Sequence, residues 1–502
     1  MIFTTENILL FGSIILFISI LISKAGGRFG VPSLLLFLIV GMLFGADGIG
    51  FQFDSIEKVQ FIGMVALSII LFYGGYDTVI SEIKPVVKQG VALSTVGVIL
   101  TTFITGTFIF FAAKLVNVTV SYPLSLLLAA TMSSTDSASV FNILRGQRIG
   151  LRKHTRPMLE LESGSNDPMA YMLTITLIDI CLTKDVGFSW MILVSFILKF
   201  VIGILFGYLG GRAIVFIVNK IKLDNVSLYP IVLVCLAFFT FSFTELLYGN
   251  GYLAVYLAGL ITGNSRIVKK RESAKFLDGI TWFLQIIMFL ALGLLVNPHS
   301  MIKVSLLATA IGVFLIFIGR PVSVLLTLLP FKKPDYFNAR LLICWVGLRG
   351  ATPIIFATYP VVRGVPGADI IFNIVFFITL LSLLIQGTTI PWVAKKLRMT
   401  RTLPKNGNDF GLELPEEIDS ELFDLDLTKE MLAAGNRLMD AKLPKGILVI
   451  MVKRNEEYLI PNGQLELFEG DKLLVIAQAD MTDSFDQKNL FNPNLKSDKA
   501  KS

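Results

Sequence analysis

The sequence predicts an all-α polytopic membrane protein of about thirteen transmembrane helices followed by a small α+β C-terminal domain. Three observations predict it. Charged residues make up 16% of the 502-residue chain against 54% hydrophobic, whereas soluble domains carry about 25% charged residues. The deficit is confined to the run from Asn7 to Val393, where apolar stretches alternate with short charged loops. From Met399 onward the composition is that of a soluble protein.

A hydrocarbon core about 30 Å thick needs roughly 20 apolar residues in a helix. On that criterion the segments fall at 7–24, 31–45, 60–74, 90–112, 123–144, 157–182, 189–217, 229–247, 251–263, 277–296, 303–329, 340–360 and 370–394. Nothing before Asn7 is basic, Glu6 is acidic and no small-residue cleavage site follows, so the first segment reads as a retained helix and not a signal peptide. Cys181, Cys235 and Cys344 fall within apolar segments and read as small core residues. The two histidines, His154 and His299, read as loop residues and argue against a histidine metal cluster.

The net charge of +7 suits nucleic acid in principle, but its placement points to a membrane. With the N-terminus outside, one set of short loops gathers the basic residues: Arg145, Arg148, Arg152, Lys153 and Arg156 in one, Arg266, Lys269, Lys270, Arg271 and Lys275 in another. The opposite set holds only Lys58, Lys114, Lys184, Lys303 and Arg363. This positive-inside asymmetry, continued by Lys395, Lys396, Arg398 and Arg401, puts the C-terminal part in the cytoplasm. The expected organisation is a transmembrane domain over 1–398, a polar linker over 399–420, an α+β domain over 421–490 and a disordered tail over 491–502. In the α+β domain Glu421–Leu427, Ile447–Lys453, Tyr458–Ile460 and Lys472–Ala477 read as strands and Asn436–Leu443 as a short helix.

Two apolar segments are interrupted. The fifth carries Ala130-Thr131-Met132-Ser133-Ser134-Thr135-Asp136-Ser137 and the twelfth Gly347-Leu348-Arg349-Gly350-Ala351-Thr352-Pro353. They lie seven segments apart, which predicts two repeats of six helices around a linking helix. The odd offset inverts the second repeat. Paired broken helices in two halves point to a transporter's binding site, because polar backbone at mid-bilayer is tolerated only where it is buried or lines a cavity.

Ionisable residues inside transmembrane segments are functional by default. The sixth segment holds Glu160, Glu162 and Asp167, and on a helix Ser163 and Asp167 share a face, as do Glu162 and Asn166. Asp136 lies in the fifth segment, Arg320 in the eleventh and Arg349 in the twelfth. Asp136, Asp167, the Ser163 hydroxyl and freed carbonyls near Thr135 are hard oxygen ligands suited to alkali cations. Burial disfavours the charged form of a carboxylate, so such a group holds either a proton or a metal cation. That competition suffices for exchange if the site opens alternately to each side. Glu162 with Arg320 reads as a structural ion pair.

The run Glu162–Pro168, the Thr135-Asp136 break, Gly251–Gly259 and Gly347-Leu348-Arg349-Gly350 together resemble the monovalent cation:proton antiporter-1 family, in particular its NhaP-type potassium/proton branch, also called cell volume regulation protein A. Gly446–Val452 and Glu469–Ile476 resemble the TrkA C-terminal domain. The resemblance implies electroneutral exchange of a monovalent cation, potassium before sodium, for protons, serving pH, cation and volume homeostasis at a prokaryotic inner membrane. It implies no enzymatic activity and no cofactor. It assigns Asp167 to cation and proton binding, with Asp136, Ser163 and Thr135 completing the cation shell and Asn166 marking the electroneutral class. Arg349 would lie where two discontinuous helices cross. It further implies a homodimer and a small-molecule, nucleotide-type ligand at the C-terminal domain. The chain departs from the branch at Tyr73, where members often carry an acidic residue. A cation channel and an intramembrane protease are the competing classes. The inverted pair of breaks disfavours the first, and the lack of a paired catalytic motif disfavours the second.

Overall fold

The computed structural model describes residues 5–402 apart from 29–31, 46, 51–54, 116–119, 148, 153, 184–189 and 332–336, and then 420–427, 429, 432, 436–439, 447–455 and 457–478. The chain divides into two compact units, Met1–Thr402 and Leu403–Ser502.

In the first unit a helix, or a broken helix, stands at each of the thirteen predicted segments. In order they are Thr5–Arg28, Ser33–Phe44, Ile56–Asp77, Ile80–Leu115, the pair Tyr122–Thr131 and Ser137–Gly146, Thr155–Leu182, Trp190–Lys220, Leu228–Leu246, Gly251–Gly263, Lys270–Leu295, the run from Pro298 through a π turn at Leu315–Gly319 to Leu328, the pair Phe337–Trp345 and Ala351–Val362, and Ala368–Lys396. Among the described residues seven helices are individually long and apolar enough to cross a membrane. Segment six runs for 28 residues but carries the charges already noted. Segments start where their sequences can satisfy the free N–H groups of a first turn: Ser55 caps segment three, Ser121 segment five and Asn250 segment nine.

Segments two and nine each lean glycines directly on a neighbour's backbone. A Cβ on Gly41 would lie 2.6 Å from the Leu290 carbonyl oxygen, and Cβ atoms on Gly259, Gly75 and Gly293 would strike the carbonyls of Phe72, Tyr256 and Leu38. One constant offset carries Gly41 to Gly259, Gly75 to Gly293, Leu38 to Tyr256 and Phe72 to Leu290. The contact of segment two with ten is therefore repeated by nine with three. The membrane unit is an internal repeat, and its seven-segment offset makes the repeat inverted.

The unit also extends slightly past its predicted end. β1 (Ile149–Leu151) pairs antiparallel with β2 (Thr400–Thr402), and Arg152 N–H donates to the Met399 carbonyl at 3.0 Å. The first residues of the expected linker are thus tied to the loop after segment five, and the remainder, 403–419, lies outside the described residues. So does the expected tail 491–502.

The second unit holds a four-stranded antiparallel sheet of order β3 (Ser420–Asp426), β6 (Lys472–Gln478), β4 (Ile447–Arg454), β5 (Glu457–Leu459). Leu425, Val449, Val452, Leu473 and Val475 form its core. All four strands match the sequence reading. The short helix expected over Asn436–Leu443 is absent from the described part, Asn436–Met439. There Leu438 and Met439 N–H donate to the Leu465 and Gly463 carbonyls at 2.9 Å, and Leu467 N–H donates to Asn436. Backbone pairing with the distant segment 463–467, which includes an isolated antiparallel bridge between Arg437 and Glu466, overrides local helix preference. Two smaller expectations also change: Cys235 is exposed on segment eight, and His299 lies in the first turn of segment eleven.

Candidate functional site

Segment five ends as helix at Thr131, and Asp136 restarts it by accepting the Ser139 N–H at 3.0 Å as a side-chain cap. Segment twelve breaks between Trp345 and Ala351. The two breaks cross and bond to each other: Asp136 N–H donates to the Leu348 carbonyl at 2.8 Å, and the Arg349 guanidinium donates to the Ser134 carbonyl. Gly350 is required there, because a Cβ would run into the Asp136 side chain. The crossing places a buried cation, Arg349, beside the carbonyl end of one half-helix and a carboxylate, Asp136, at the N–H end of another. Both placements suit the helix dipoles. Arg349 N–H is held by Ser382 Oγ at 3.0 Å, which in turn donates to Gln386.

Segment six runs past this crossing. Asp167 faces it, buried, and accepts hydrogen bonds from the Ser134 hydroxyl and, at 3.5 Å, from the Thr352 hydroxyl in the first turn of Ala351–Val362. Ser163, one turn earlier, donates to the Thr135 carbonyl at 2.8 Å and accepts from Ser137 N–H at 3.1 Å. Asn166 donates to Thr135 Oγ1 at 2.6 Å, and its own Oδ1 has no partner. Asp167, Asp136, Ser163 and Thr352 line a cavity of about 170 Å³. Thr135 and Asn166 are buried behind that surface and brace the break. Ser134, Ser139 and Thr352 belong to the constellation and were not singled out by sequence. Hydroxyl residues are common in apolar helices, and only the crossing shows which of them reach a carboxylate.

Glu162 points away from the cavity and pairs with Arg320, at 1% and 2% side-chain exposure. Arg320 follows the π turn of segment eleven and lies along Gly347, where a Cβ would fall 3.0 Å from its Nε.

The cavity has a mouth on the side where Asp77, Arg145 and Asp278 are exposed. Asp77, Arg145, Glu160 and Asp278 line it at one end, and Leu67, Asp167, Phe289 and Thr352 at the other. The mouth lies at the ends of segments three, five, six and ten that join the basic loops. Beyond Asp167 on the opposite side Tyr171 stands edge-on to Tyr252 at 4.8 Å and to Tyr359 at 5.4 Å, and the Tyr252 and Tyr359 hydroxyls bond at 3.1 Å. These rings pack against one another at that end, outside the lining of the cavity. Among the described residues no group of three His, Cys, Asp or Glu side chains could hold a resident metal.

Inverted repeats, two crossed broken helices and buried carboxylates at the crossing define a secondary transporter of monovalent cations. The sequence agrees: residues 13–396 match the family model described as sodium/hydrogen exchanger, transmembrane, and residues 426–488 match the TrkA-C domain. The chain belongs to the sodium/hydrogen exchanger family, and it is a multi-pass membrane protein. It is 37% identical to the K(+)/H(+) antiporter NhaP2 of Shewanella baltica over 97% of this chain and 83% of that protein. It is equally 37% identical to the K(+)/H(+) antiporter NhaP of Alkalimonas amylolytica, over 95% of this chain and 82% of that protein. In fold it is similar to the sodium proton antiporter MjNhaP1 of Methanocaldococcus jannaschii, with a TM-score of 0.66 and 20% identity over 77% of this chain and all of that one.

Proposed function

We propose that the protein exchanges potassium, with sodium as the alternative, for protons one for one across a prokaryotic inner membrane. The observation that carries this reading is Asp167, buried in the wall of a cavity where the two broken segments cross. It accepts hydroxyl hydrogen bonds and has no basic partner among the described residues, so it takes one proton or one cation and not both. Asp136, Ser163 and the Thr135 carbonyl supply further hard oxygens once Ser163 rotates from its present bond. Asn166 serves as a brace and not as a second titrating acid, which supports equal charge on both strokes.

The positive-inside pattern assigns the mouth to the cytoplasmic face, so this conformation is inward-open. Turnover then requires the Tyr171–Tyr252–Tyr359 cluster to part while the mouth closes. The C-terminal unit is a cytoplasmic regulatory module for a small-molecule, nucleotide-type ligand, and the transporter works as a homodimer. Both of these follow the family resemblance.

Moving net charge would couple turnover to voltage at about 2.3 kcal/mol per 100 mV. Recordings on solid-supported membranes carrying the purified protein test the stoichiometry. The reading predicts cation-dependent exchange without a steady current. A sustained current that scales with exchange contradicts it.

A further inference from the structure

Asp167 and its neighbours account for the floor of the cavity but leave one wall unexplained. Asp278, Thr281 and Gln285 lie three and four residues apart on segment ten, so they form one stripe, and all three line the cavity. Helix rise puts Gln285 about 10 Å deeper than Asp278. Asp278 is exposed at the mouth. Gln285 is only 7% exposed, and its amide makes no hydrogen bond among the described residues. The Thr281 oxygen is fully buried and has no partner either. Buried polar groups are nearly always hydrogen-bonded, and leaving one unpaired is destabilising. One such oxygen, with a nine-tenths-buried amide one turn deeper on the same helix face and both residues lining a cavity, points to an occupant.

The surroundings fix its class. Across the cavity stand Tyr73 and Asp77 from segment three, Glu160 and Ser163 from segment six and Arg145 from segment five. Glu160 is engaged by Arg156 at 2.8 Å. Asp77 and Asp278 leave the mouth negative despite Arg145. Two neutral oxygens with a carboxylate one turn away are too few and too weakly charged for a divalent ion, which gathers six or more oxygens, several of them carboxylate. They fit a partly hydrated monovalent cation held loosely enough to move on, the condition that conduction imposes on any intermediate stop.

We propose that Thr281 and Gln285, with Asp278 above them, form a second monovalent-cation site, a waiting position between the mouth and Asp167. It rests on the reading of Asp167 as the exchange site and adds the step before it. It also bears on the departure at Tyr73: that side chain carries no charge but hydrogen-bonds Asp278, and the attracting carboxylates are Asp77 and Asp278.

The test uses full-length protein in proteoliposomes, with potassium chloride and sodium chloride as probes. Gln285→Leu is expected to raise the apparent KM for the cation roughly three- to ten-fold, the loss of one oxygen ligand, with kcat and the pH profile unchanged. Gln285→Glu keeps an oxygen at the same place and is expected to restore or lower the KM. If Gln285→Leu folds poorly, Gln285→Glu still decides: a KM at or below wild type supports the site, and a raised KM overturns it. In the Asp167→Asn background, which removes exchange, potassium chloride should still raise the melting temperature, and adding Gln285→Leu should abolish that shift. An unchanged KM in Gln285→Leu, or salt stabilisation indifferent to it, overturns the waiting site. Persistent exchange in Asp167→Asn alone overturns the parent reading instead.

Discussion

Removing either partner of the buried Glu162–Arg320 pair should destabilise the membrane unit strongly, and the two removals should not be equivalent. Both side chains are essentially sealed, and neither is fully satisfied: Glu162 Oε2 and Arg320 Nε lack partners. A buried charge that loses its partner costs about 3–5 kcal/mol. Arg320→Gln leaves one carboxylate, which can take up a proton. Glu162→Gln leaves a guanidinium that cannot lose one, packed along Gly347 two residues from the equally buried Arg349. Glu162→Gln should therefore be the worse of the two, with a melting temperature lower by an amount on the order of 5 °C for the purified protein. The double variant replaces both charges by amides and should recover part of the loss. Melts of wild type, both singles and the double close the cycle. Fully additive losses, or a milder Glu162→Gln, would refute the reasoning.

Truncation after Leu403 keeps β2 paired with β1 and should leave a unit that inserts and exchanges with altered regulation, since few contacts cross a domain linker; failure to insert makes the tail structural. In the second unit the Arg454 guanidinium forks onto Asp471 at 2.8 and 2.9 Å, and that carboxylate holds the Arg454 pKa above its usual value. Arg454→Met should lower tail stability by about 1–3 kcal/mol, read by limited proteolysis, because Asp471 is buried at 2% exposure. Gly259→Leu should abolish membrane insertion or assembly, since even a Cβ there strikes the Phe72 carbonyl; normal yield and exchange would contradict the packing. At fixed cation concentration the exchange rate should be bell-shaped in pH: excess protons displace the cation from Asp167 at low pH, and too few remain for the return stroke at high pH. A plateau on the alkaline side would show that the proton and the cation do not compete.

What the sequence reveals here follows from which interactions are local. The segments were legible because about 20 apolar residues in a row have no other use in a bilayer. The two breaks were legible because Ser-Ser-Thr-Asp and Gly-Leu-Arg-Gly are poor helix inside apolar runs. Asp167, Asp136 and the Glu162–Arg320 pair stood out because a charge within such a run needs a reason. Ser134 and Thr352 did not, because a single hydroxyl in a transmembrane helix bonds its own backbone as readily as a distant carboxylate. Thr105 and Thr327, which have no assigned role, look the same in sequence. The segment-ten stripe was hidden for a different reason: its cavity exists only once segments three, five, six, nine, ten and twelve are packed. The glycine repeat was also in the chain, but Gly41 and Gly259 become a matched pair only when each is seen resting on a carbonyl. The Asn436–Leu443 helix failed because its first residues bond to backbone groups at 463–467, about 27 residues away and beyond any local pattern.

The claim on which the account rests is that Asp167 alternates between proton and cation. Asp167→Asn keeps the volume and can still bond the Ser134 hydroxyl, so the protein should insert and melt close to wild type. Reconstituted in proteoliposomes with a pH-sensitive dye inside, it should show no proton movement on addition of potassium or sodium chloride, where wild type gives a rapid signal. Exchange by Asp167→Asn at the wild-type rate would contradict the account at its centre.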